Sequence, residues 1–110
     1  MKNLSEKELS DKIVQEFTHE LRQRLGNRIQ QIILYGSRAR GDYWEGSDFD
    51  FLILIRDRDP DIRERVLDVE VDLLNRYDYL VTSQILTQEQ WSKERYSPWG
   101  RKIEKEGVAT

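Results

Sequence analysis

The chain has 110 residues, 37% hydrophobic and 35% charged, with a formal net charge of −3 and no cysteine. This length supports one modest core, and the acidic balance with no long basic run argues against direct nucleic-acid binding. Disulfides and thiolate metal sites are excluded, and no stretch approaches the ~20 apolar residues of a membrane span. The start "MKNLSEKELSDK" lacks the apolar core of a secretory signal, so a cytoplasmic protein with no membrane association is expected.

Ser5 followed by Glu8 reads as a capping box, and Leu9, Ile13, Phe17 and Leu21 form a helical apolar stripe that ends at Gly26-Asn27. "IQQIILY", Ile29 to Tyr35, is β-branched and aromatic and predicts a strand stopped by Gly36. A short helical turn follows. "FDFLILI", Phe49 to Ile55, predicts a central strand. Asp59-Pro60 predicts an N-cap and first helical position, with Ile62, Val66, Val69 and Leu73 as the buried face of a second long helix. "YLVTSQIL", Tyr79 to Leu86, predicts a third strand. Thr87 with Gln90, and Ser97-Pro98, open two short helices, and Gly107 is a stop. The expected fold is a single α/β domain over 1–110, a three-stranded mixed sheet with helices mainly on one face.

"LYGSRARGDYWEGSDFDFLIL", from Leu34 to Leu54, concentrates the chemistry. A glycine at a strand end before a helical turn lets a ligand approach the backbone and meet unpaired N–H groups, a seat for phosphate. Ser37 adds a hydroxyl, and Arg38 and Arg40 offer guanidinium donors. For Arg40, phosphate contact and a pair with an acid such as Asp42 both stay open. Asp48 and Asp50 project from one face of a strand, about 6.5 to 7 Å apart at Cα; one reading is a turn residue beside a solvated face, the other a pair whose mutual repulsion a cation between them removes. Magnesium suits such a pair, with phosphates and water completing its shell. If the strands before and after the loop are antiparallel, the seat and the cation meet.

Other residues read as structural. His19 sits among charges on a helix, Trp91, Trp99 and Ile103 read as core or partner-facing, and the basic residues from Lys93 to Lys105 alternate with glutamates on a solvated face. Tyr43 and Trp44 are either a packed loop tip or a stacking surface.

Gly36-Ser37, ten residues and Asp48-x-Asp50 resemble the motif of the polymerase-beta-like nucleotidyltransferases, and the stretch is similar to their minimal branch, the MNT domain proteins. The resemblance covers most of the chain and implies a small nucleotidyltransferase domain. By that likeness Gly36, Ser37 and Arg38 would bind the nucleotide, and Asp48 and Asp50 would be catalytic and ligate Mg2+. It implies transfer of AMP from ATP to a tyrosine of a HEPN ribonuclease toxin, for which the chain would be the antitoxin, the two forming a hetero-oligomer. The family's third acidic residue is missing from "YLVTSQIL", where Ser83 takes the corresponding place, and serine is neither a base nor a counter-charge at neutral pH. The alternative is therefore a domain that neutralises its partner by binding alone. Transfer to a small molecule such as an aminoglycoside is a third reading, which the lack of a second domain argues against.

Overall fold

The computed structural model describes residues 3–110. Helix α1 spans Glu6–Leu25 and opens with the expected capping box, the Ser5 hydroxyl accepting from the Glu8 N–H and the Glu8 carboxylate accepting from the Ser5 N–H. A short turn at Gly26–Arg28 leads into β1, Ile29–Tyr35, then α2, Ser37–Arg40, and β2, Phe49–Ile55. Helix α3 spans Ile62–Tyr77, β3 Val81–Thr87, α4 Gln88–Glu94, α5 Pro98–Glu106 and β4 Val108–Ala109.

The sheet has four strands in the order β3-β2-β1-β4, one more than expected. The added strand follows Gly107, which caps α5 and then lets the chain turn onto the β1 edge, pairing Ile33 with Ala109 and Leu34 with Val108. The Thr110 N–H, donating to the Ile32 carbonyl at 2.9 Å, holds the end there. β1 and β2 are antiparallel and β2 and β3 parallel, so the sheet is mixed. Two boundaries shift. Asp59 does not cap α3, because its carboxylate is held by Arg28 at 2.8 Å and by the Asp61 N–H at 3.0 Å, and the helix begins at Ile62. The third strand starts at Val81, since the Tyr79 ring turns back to pack edge-on against Phe49.

Strand alternation sends β2 residues to two different surroundings. Phe49, Phe51, Ile53 and Ile55 enter the main core with Ile13, Phe17 and Leu21 of α1 and Val66, Val69 and Leu73 of α3. Phe17 and Phe51 meet with ring centroids 4.4 Å apart. On the opposite face a smaller core gathers Leu52, Leu54, Trp91 of α4 and Ile103 of α5, with Trp99 edge-on to Trp91. The long helices thus cover one face, and the short ones cover only part of the other. Among the described residues no helix is long and apolar enough to cross a membrane.

Candidate active site

The face left partly open is the face that carries the aspartates. The β1–β2 register sets Tyr35 opposite Asp50, so the end of β1 and the start of β2 lie side by side, as antiparallel pairing requires. Gly36 follows at φ 77° and ψ −160°, a conformation for which glycine is suited. A Cβ at this position would stand 2.7 Å from Asp50 Oδ2. The missing side chain therefore leaves room for the Asp50 carboxylate against the backbone of the predicted phosphate seat. Beyond it, Ser37 opens α2, a single turn in which the Ala39 and Arg40 N–H groups both donate to the Gly36 carbonyl at 3.1 Å. Asp48 is exposed immediately before β2.

Asp50 has a neighbour that the sequence did not mark. The parallel β2–β3 register sets Thr82 beside it, and the Thr82 hydroxyl donates to Asp50 Oδ1 at 3.2 Å. Ser83, expected in the place of the third carboxylate, is instead registered to Phe51 and buried on the α3 side of the sheet. The strand position beside the aspartate is thus occupied by threonine, which can orient a carboxylate but not replace one. Tyr35 completes the row, its ring edge-on to Trp99 at 6.1 Å. Burial, reinforced by the Asp50 charge, holds the Tyr35 phenol above its ordinary range, so it stays neutral.

The two arginines do not join the seat. Arg38 was expected at the nucleotide, yet its side chain is fully buried. Its Nε and Nη2 donate to the Ser47 carbonyl at 3.1 and 2.9 Å, and its Nη1 donates to Glu6 Oε1 at 2.9 Å. Tyr43 and Phe49 lie over the guanidinium at 4.2 and 4.3 Å. These bonds tie the loop to α1, so in this structure the guanidinium is engaged by Ser47 and Glu6 rather than aimed at the strand-end glycine. Arg40 is paired with Asp42 at 3.2 Å and with Glu106 of α5 at 2.9 Å, resolving its two readings toward the structural one. Tyr43 packs on Arg38, whereas Trp44 at the loop tip is 82% exposed.

Among the described residues neither Asp48 nor Asp50 forms an ion pair, and no group of three His, Cys, Asp or Glu side chains gathers anywhere to hold a metal. A cation here would take two protein carboxylates and fill its shell with phosphate oxygens and water, the arrangement magnesium favours. The hard-oxygen donors and the cradle at Gly36 fit that ion. The site is an open shelf. A cleft of about 370 Å³ lies at the other end of β2, lined by Arg28, Arg56, Arg58 and Pro60 among others, away from the aspartates.

The family model described as "Nucleotidyltransferase domain" matches residues 14–105. A protein of Methanocaldococcus jannaschii named "Putative protein adenylyltransferase" is 36% identical over 97 residues, covering 88% of this chain and 93% of the relative. The chain belongs to the nucleotidyltransferase domain family. Two solved structures share this fold. One, a toxin–antitoxin with AMP-PNP, has a TM-score of 0.60 at 22% identity and covers 91% of this chain and 70% of that one. The other, a tri-AMPylated Shewanella oneidensis HEPN toxin in complex with an MNT antitoxin, has a TM-score of 0.51 at 17% identity and covers 94% and 70%.

Proposed function

We propose that this nucleotidyltransferase is a Mg2+-dependent protein adenylyltransferase, moving AMP from ATP to a tyrosine hydroxyl of a HEPN-domain toxin in the cytoplasm and so acting as its antitoxin. The observation that supports the reading is the close approach of the Gly36 backbone to the Asp50 carboxylate, which brings the strand-end glycine and the two aspartates to one end of the sheet. In support, the M. jannaschii relative is named for adenylyl transfer to protein, and one structural neighbour comes from a complex of an MNT antitoxin with an AMPylated HEPN toxin.

In the reaction the tyrosine oxygen forms a bond to the α-phosphorus of ATP, and the bond from that phosphorus to the β-bridging oxygen breaks, releasing pyrophosphate. The backbone N–H groups at Gly36 and Ser37, with the Ser37 hydroxyl, hold the leaving phosphates. Asp48 and Asp50 hold the cation, and Thr82 orients Asp50 through its hydroxyl. Bound Mg2+ supplies charge neutralisation and polarisation at the phosphates. With threonine on β3 where a third carboxylate would stand, the tyrosine proton leaves to solvent water, and in-line positioning provides most of the rate.

Thr82 also supports a second reading, in which the chain neutralises its partner by binding and catalysis is vestigial. The two are separated by the intact mass of a co-expressed HEPN partner after incubation with ATP and Mg2+. Transfer adds the mass of one or more adenylyl groups, and Asp48→Ala with Asp50→Ala abolishes it. Unchanged labelling by that double variant sinks the site assignment, and neutralisation without any mass change favours binding alone.

A further inference from the structure

Helix α3 buries Ile62, Val66, Val69 and Leu73, and on the side facing α1 its Asp72 and Arg76 pair with Arg24 and Glu16. Turned away from α1 is a different surface. Leu67, Val71 and Leu74 succeed one another at i, i+4 and i+7, and are 50%, 43% and 38% exposed. The row lies on the outer flank of the fold, where β3 is the edge strand and Leu80, just ahead of it, is also exposed. A continuous apolar row on an otherwise charged surface marks an interaction site.

The ends of the row carry opposite charges. Arg63 lies four residues before Leu67, and Asp78, the left-handed residue that caps the C-terminus of the helix, lies four residues after Leu74, both exposed. The row is therefore complementary to itself when reversed. Two copies laid antiparallel would set Leu67 against Leu74 at both ends, with the two Val71 side chains flanking the axis, which falls between residues 70 and 71. The same overlap puts Arg63 opposite Asp78 twice, whereas a parallel pairing would oppose Arg63 to Arg63 and Asp78 to Asp78. Arg63 uses Nη1 on the Ser83 carbonyl at 3.1 Å, which leaves other N–H groups of its fork for a partner carboxylate.

We propose that the chain self-associates through α3 as an isologous antiparallel helix pair, the partner being a second copy of itself. Asp48 and Asp50 lie on the opposite face of the sheet, so both sites stay open in the dimer. Three half-exposed side chains per copy are well below the ~800 Å² per partner of a standard interface, so the association is weak, with a dissociation constant on the order of 10 to 100 μM.

Sedimentation of the full chain from ~10 μM to ~1 mM tests this directly. The mass should rise toward twice the monomer. Leu67→Glu should weaken association about tenfold, and Leu67→Glu combined with Leu74→Lys should recover it, because each glutamate then faces the other copy's lysine. The absence of cysteine gives a second measurement. Under mild oxidation Val71→Cys should form a disulfide dimer, while Asp68→Cys, exposed but off the row, should remain monomeric. A chain that stays monomeric across the range, a double variant no better than Leu67→Glu, or equal cross-linking at the two cysteines overturns the proposal.

Discussion

The two faces of β2 differ in what covers them, and that difference separates fold from chemistry. Phe49, Phe51, Ile53 and Ile55 are sealed along their whole length by α1 and α3. On the other face Leu52 and Leu54 are sealed by Trp91 and Ile103, but α4 and α5 stop short of Asp50 and Asp48. One strand can thus carry a closed core and an open reactive end, because alternation assigns the faces and cover of unequal extent decides which positions meet water. Polar residues are tolerated on the second face only where that cover ends.

The sharpest way to break the comparison is on the sealed face. Phe51→Ala removes a fully buried ring packed on Phe17 and should cost about 4 kcal/mol in urea unfolding, enough to unfold much of a small domain. Next comes the clamp between the faces. Arg38→Met keeps the packing against Tyr43 and Phe49 but gives up the bonds to Ser47 and Glu6, and should cost about 2 to 3 kcal/mol, Glu6 being partly solvated. Its effect on transfer should follow the loosened loop, so faster amide exchange at residues 42–47 should accompany any loss of rate.

On the open face, Gly36→Ala should cost about 1 to 2 kcal/mol from backbone strain. Its loss of adenylyl transfer should exceed what that destabilisation explains, since the Cβ displaces the Asp50 carboxylate. The smallest effect belongs to Glu70, a buried carboxyl on α3 with one oxygen unpartnered. Burial raises its pKa above the ordinary 4.5, with the Ser83 hydroxyl and Arg63 opposing the shift. The folded state therefore binds the proton more tightly, so this group's stabilising contribution is full below 4.5 and is lost as pH rises through the raised folded value. Glu70→Gln should flatten that decline in urea midpoints measured from pH 4.5 to 7, and an unchanged slope would contradict it.

Much of this was legible locally. Both strands of the hairpin around the site, Ile29–Tyr35 and Phe49–Ile55, and the capping boxes at Ser5 and Thr87 lie where the residues put them, because each is decided within a few positions of chain. The aspartate spacing and the glycine at the strand end were legible for the same reason. What distant partners decide was not. The fate of Arg38 depends on Glu6, more than thirty residues earlier, and on the Phe49 and Tyr79 rings. Whether Thr82 or Ser83 stands beside Asp50 depends on the β2–β3 register, which the α3 crossover sets and no local pattern reports. β4 is two residues long and exists only by its contact with β1.

The central claim is that the open end of β2 seats a nucleotide and its metal. It is tested most directly by amide spectra of the chain with ATP and trace Mn2+ in place of Mg2+. Paramagnetic broadening should centre on Gly36, Ser37, Asp48, Asp50 and Thr82, and leave Arg56 and Arg58 at the far end of the strand sharp. Broadening centred on Arg56 and Arg58, or none at the Gly36–Asp50 end, would contradict the account.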